Sequence, residues 1–186
     1  MTPFELFFGL TSVILGLALA QLANSLQMLL RTGRRVDWSP EPILLSILIL
    51  LIIVSVWAGE WQSRAVASFT VGQCLMQVLK LLALFIAASA VLPEPKEGER
   101  IDLREHYLNS RAITYGALIV GLILFSAYRY LFGGARLTLP GLAENLVLPA
   151  FYASLILVRW RPWHLLILSA VLILFSVQIV SVEIGG

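Results

Sequence analysis

Charge is scarce in this sequence: Lys, Arg, Asp and Glu make up 13% of its 186 residues, against 59% hydrophobic ones. A water-soluble domain carries roughly 25% charge, because its surface has to face solvent. The apolar surplus here is too large to hide in one core, so lipid is the expected solvent. Cysteine is nearly absent. The single Cys74 excludes an intramolecular disulfide and any cysteine-based zinc or iron–sulfur site within one chain. It lies in a hydrophobic stretch and reads as a small apolar filler. The two histidines, His106 and His164, stand far apart without metal-ligand spacing. No G-x-S-x-G, P-loop or dinucleotide fingerprint occurs. The expectation is therefore a protein that is not an enzyme and needs no cofactor or metal. The net charge of +2 gives no reason to expect a nucleic-acid partner.

What is present is long hydrophobic runs. Six stand out, at about 4–30, 41–60, 69–92, 112–132, 142–159 and 164–183. At ~1.5 Å per helical residue each can cross a hydrocarbon core of ~30 Å, the fifth with least to spare. The first contains a motif, Ala18-Leu19-Ala20, that resembles a signal-peptide cleavage site. It lacks a basic leader and is too long for an h-region, so a retained helix is expected. Helix-start signals support the boundaries. Thr2-Pro3-Phe4-Glu5 reads as a capping box with proline at the first helical position, and Ser39-Pro40-Glu41 starts the second helix similarly. Asp102-x-x-Glu105 caps a turn of amphipathic helix that runs into the fourth segment. The loops are short, so residues 1–186 form one all-α domain, an integral membrane bundle of six transmembrane helices.

Basic residues orient it. Arg31, Arg34, Arg35, Lys96, Arg100, Arg104, Arg111, Arg159 and Arg161 fall on loops 1–2, 3–4 and 5–6. Only Arg64, Arg129 and Arg136 fall on the opposite side. The richer side should face the cytoplasm, which puts both termini outside. Trp38, Trp57, Trp61, Trp160 and Trp163 lie near segment ends, where indole prefers the headgroup layer. The loop at about 93–111 mixes acidic and basic residues and reads as a solvated turn rather than a docking element. No repeat relates segments 1–3 to segments 4–6.

Segments two and six are almost unbroken hydrocarbon and are expected to face lipid. Segment one carries Ser12, Gly16, Ala20 and Asn24 at four-residue spacing, a stripe of small or polar side chains that lets helices approach closely. Ala117 and Gly121, and Ala150 and Ser154, offer shorter versions. Segments one, three, four and five are thus the expected bundle interior.

Lys80 is the most informative residue, at the middle of segment three. A central lysine costs ~2.5–3.5 kcal/mol on insertion scales, so it needs a partner or a water-filled space. Gln73 and Gln77 share its helix face. Glu144 and Asn145 enter segment five from the same side, Gln178 and Glu183 leave segment six there, and Tyr128 and Arg129 end segment four there. The expected arrangement is an outward-opening polar pocket floored by Lys80, with Glu144 as counter-charge. A structural polar network fixing helix register is the competing reading, at even weight. Gln21, Asn24 and Gln27 form a second polar group, read as interhelical hydrogen bonding in preference to the other half of a path. Pro149 reads as a kink rather than a break. A Schiff-base role for Lys80 has little support, since six helices are one short of the retinal-binding bundle.

The opening Phe4-Glu5-x-Phe7-Phe8-Gly9-Leu10, with Gly16-Leu17 and later Asp102-Leu103-x-x-x-Tyr107-x-x-x-Arg111, resembles small uncharacterised bacterial multi-pass membrane proteins. That resemblance implies six helices and a bacterial inner-membrane location, and no activity. The function expected from the residues is an oligomeric channel or transporter for a small ion or polar solute. The alternative is a non-transporting scaffold or accessory subunit acting through helix contacts. In either case the partners are the bilayer and further copies of the chain.

Overall fold

The computed structural model describes residues 3–62, 69–95, 100–134, 136 and 138–180, with the side chains of 3, 34, 61, 62, 139, 140, 143, 178 and 180 left aside. Gln178 as a side chain, and Glu183, Arg64, Lys96 and Thr2 altogether, lie outside the described residues. The chain is all-helical: α1 Pro3–Thr32, α2 Pro40–Gln62, α3 Val71–Ala90, α4 Leu103–Leu131, α5 Leu139–Leu157 and α6 Arg161–Val180. Four of these, α1 to α4, are long and apolar enough to cross a membrane, and the apolar stretches of α5 and α6 are shorter.

The helix starts have local causes. Asp102 accepts hydrogen bonds from the backbone N–H of Arg104 and Glu105, satisfying two of the unpaired donors of the first turn. That cap starts α4 nine residues ahead of the apolar run, so its amphipathic first turns and its membrane-length stretch form one continuous helix. Thr70 and Gln73 form a reciprocal capping box at the start of α3. Thr138 caps α5 through the N–H of Gly141. At the other end of α1, Gly33 takes a left-handed φ of 57°, which stops the helix where a side chain would be strained. Pro149 does not interrupt α5.

Helix α3 lies between α1 and α4, α5 packs on α4, and α6 packs on α2. Helix α2 touches α1, α3, α4 and α6, and so occupies the centre. Leu45, Leu48, Ile49 and Ile53 on it are buried, with Leu48 and Ile49 at 0% exposure. Ile47, Leu50, Val54 and Trp57 line its other side and are exposed, so the expectation of a lipid-facing second segment holds for one face and not for the other. A helix that is apolar all round carries no signal for which side is covered. Helix α6 is divided: Ile167, Leu168 and Val171 are buried, whereas Leu166, Ile173, Leu174 and Val177 are exposed. Helix α1 corrects the sequence expectation in the opposite sense. Gly16, Ala20 and Asn24 are exposed, and a Cβ built on Gly16 meets nothing within 4 Å. The close approach instead occurs between α3 and α4, where a Cβ on Gly121 would touch Ala83 at 3.7 Å.

One end of the bundle carries a feature the sequence did not announce. Val36–Asp37 (β1) and Ile101–Asp102 (β2) pair in parallel, joining the α1–α2 loop to the α3–α4 loop. Arg100 reinforces the pair with two hydrogen bonds to the Asp37 carboxylate, at 2.9 and 3.2 Å. This end is called the sheet end below, and the opposite one the far end.

Candidate polar sites at the two ends of the bundle

At the far end the site is built from α2, α3 and α4. Lys80 lies nine residues into α3, about 14 Å along its axis. Its ammonium sits 4.5 Å from the ring centre of Tyr128 and 5.6 Å from that of Phe125, both on α4. At those distances the ring faces attract the cation. The carboxylate whose charge acts on it is Glu60, near the end of α2. Glu60 is held by a 2.6 Å hydrogen bond from the amide of Gln77, itself only 2% exposed. A cation, a carboxylate, an amide and two aromatic rings from three helices thus meet within the apolar stretch.

Several expected members stand elsewhere. Glu144 is exposed on α5 and Arg129 is exposed on α4. Asn145 donates to the hydroxyl of Tyr130 at 2.9 Å and to the carbonyl of Gly141 at 2.7 Å, tying the start of α5 to the end of α4. Gln73 spends its carbonyl oxygen on Thr70 in the capping box. The counter-charge is therefore Glu60 rather than Glu144. Glu60 escaped notice because it ends an apolar run, where a carboxylate reads as a headgroup-level charge. The second polar group is also dispersed: Gln21 donates to Glu94 at 3.0 Å, while Asn24 and Gln27 are exposed. No continuous path joins them to Lys80 among the described residues.

The sheet end holds a second, tighter cluster. Glu41, at the start of α2, is 2% exposed, accepts from the Ser39 hydroxyl, and accepts from Arg161 Nε of α6 at 2.7 Å. Beside it, His164 Nε2 faces the carbonyl of Val158 at 2.8 Å, and its Nδ1 faces the Tyr107 hydroxyl at 2.6 Å. The Tyr107 hydroxyl in turn lies 2.8 Å from that of Tyr115. A carbonyl can only accept, so a neutral His164 carries its proton on Nε2. The chain then has one direction: Tyr115 donates to Tyr107, and Tyr107 donates to His164. Tyr152 stacks on Tyr115 with ring centres 5.7 Å apart. His164 looked isolated in sequence because its side-chain partner, Tyr107, comes 57 positions earlier on another helix. The i, i+8 spacing of Tyr107 and Tyr115 was the available signal.

No group of three or more His, Cys, Asp or Glu residues suited to a metal ion occurs among the described residues. Comparison with family models, with curated proteins and with solved structures returns no match for this chain.

Proposed function

We propose that the chain is a six-span membrane protein of the bacterial inner membrane, with both termini outside. In this reading it moves a small ion or polar solute past the Lys80–Glu60–Gln77 cluster, and does no enzymatic chemistry. The observation that carries the proposal is Lys80 itself. A lysine well inside an apolar helix is costly, and intramembrane charges of this kind mark ion and solute routes. The ammonium has a counter-charge and aromatic neighbours without a direct ion pair among the described contacts, an arrangement that leaves it free to exchange partners.

Flux of ions and small solutes in proteoliposomes tests this, comparing the wild type with Lys80→Met and Glu60→Gln at equal incorporation. Flux lost or altered in selectivity by both variants is the expected result. No flux above empty liposomes over a broad panel rejects the proposal.

A second reading is favoured by the exposed face of α1. Gly16, Ala20 and Asn24 offer a smooth, partly polar surface to a further helix, and an amide facing hydrocarbon gains from meeting another amide. A homo-oligomer formed through this face accommodates both readings. Gly16→Leu that converts an oligomer to a monomer supports it, and an unchanged assembly state rejects it.

A further inference from the structure

The sheet-end cluster contains a cation, Arg111, that no described acid matches. Arg111, on α4, is half-buried, and its Nη1 is sealed from solvent without a hydrogen-bond partner. A charged donor left in this state is costly, more so than a neutral one. Among the described residues, the acids at this end are committed elsewhere. Glu41 has one oxygen on Ser39 and the other on Arg161. Asp102 gives its Oδ1 to the α4 cap, and Asp37 is held by Arg100. Glu105 is exposed, one residue round the helix from Arg104, on a different face.

The cations, by contrast, converge. Arg104, Tyr107, Arg111 and Tyr115 recur at three- and four-residue spacing and so share one side of α4. The charges of Arg104, Arg111 and Glu41 all act on His164, which sits three residues beyond Arg161 on α6. Among the described residues, three arginines therefore gather around one carboxylate, Glu41, both of whose oxygens already accept a hydrogen bond. His164 adds no donor in its neutral form, since both ring nitrogens are already used.

Depth adds a second argument. Helix α4 has 29 residues, about 43 Å, and so exceeds a ~30 Å hydrocarbon core by roughly 13 Å. Arg111 lies eight residues from its start, about 12 Å in, at the border where the apolar run begins. The phosphates of lipid headgroups lie at that level. Exposed Trp160, on the turn leading into α6, fits the same layer.

We infer that Arg111, with Arg104 and Arg161 beside it, forms a binding site for a phosphate group at the sheet end between α4 and α6. The planar guanidinium suits a phosphate because two parallel N–H groups can meet two oxygens. The phosphate comes from an anionic phospholipid or from solution, and the test separates the two.

Purified protein in a neutral detergent would be titrated with phosphatidylglycerol, with phosphatidylcholine, and with inorganic phosphate. Bound lipid is counted by native mass spectrometry, and stability is followed by thermal unfolding. For a lipid source, phosphatidylglycerol is retained and raises the melting temperature, phosphatidylcholine does neither, and Arg111→Gln weakens retention about tenfold or more. For a solution source, inorganic phosphate gives the shift and phosphatidylglycerol adds nothing. Arg104→Gln is exposed and folds irrespective of the site, so it serves if Arg111→Gln is unstable; it should weaken binding severalfold. Arg35→Gln, at the same end but outside the cluster, should bind as the wild type does. Equal retention by the wild type and the Arg111 and Arg104 variants overturns the site, as does an absence of binding by both phosphate sources.

Discussion

Helix α2 carries one acid near each end, and the two are treated differently. At the sheet end Glu41 is almost wholly buried and accepts a hydroxyl and a guanidinium on its two oxygens. At the far end Glu60 is half-buried, accepts one amide, and faces a lysine whose ammonium rests on aromatic rings. The first arrangement uses directional bonds that fix α2 against α6. The second uses charge and ring quadrupole, which attract over a range of positions. Burial of a charge therefore does not by itself mark a working site. A carboxylate with both oxygens held by directional bonds is a brace, and a cation held by non-directional forces can move.

The sharpest way to break the comparison is to remove one charged partner from each end. Arg161→Met strands buried Glu41 and should cost about 3–5 kcal/mol of unfolding free energy in detergent. Glu60→Ala, by the same measurement, should cost no more than about 3 kcal/mol, since the flexible Lys80 can turn to the interface. Equal losses would mean that the far end is as rigid as the sheet end. Next in size is the hydroxyl chain. Tyr107→Phe removes the donor to His164 and the acceptor of Tyr115 together, and should cost about 1–3 kcal/mol. Tyr115→Phe removes only the outer donor and should cost about 1 kcal/mol by the same assay.

The smallest effect belongs to the exposed Asp37–Arg100 pair. The hydrogen bond from Arg100 holds the Asp37 carboxyl below its ordinary value. With the folded value depressed, the stabilisation is present above the unfolded pKa of about 3.9 and disappears as pH falls through the folded value. Asp37→Asn should remove that acid-side dependence while leaving stability at neutral pH nearly unchanged, as read from unfolding curves between those pH limits.

Helix positions were legible from hydrophobic runs and from Asp102 as a cap, because both signals are local. Burial was harder to read. Segment two is apolar on every side, so its sequence did not tell the face that packs, with Leu48 and Ile49, from the exposed face, with Ile47 and Val54. The α1 stripe looked like an interior seam because small residues permit close packing, although permission does not supply a neighbour. Lys80 announced itself by the cost of its charge. Glu60, Arg161 and His164 did not, because each lies at the end of an apolar run, where charge is ordinary. Their partners are set by which helices adjoin, and no local pattern encodes that.

The short parallel pair at the sheet end has a consequence for how the chain assembles. Asp37 and Arg100 are 63 positions apart, and the segment between them comprises all of α2 and α3. Drawing such distant points together carries an entropic penalty that only prior docking of the intervening helices can lower. The strands thus clasp the two ends of the α2–α3 hairpin, and their few bonds hold that unit closed only while its helices are docked.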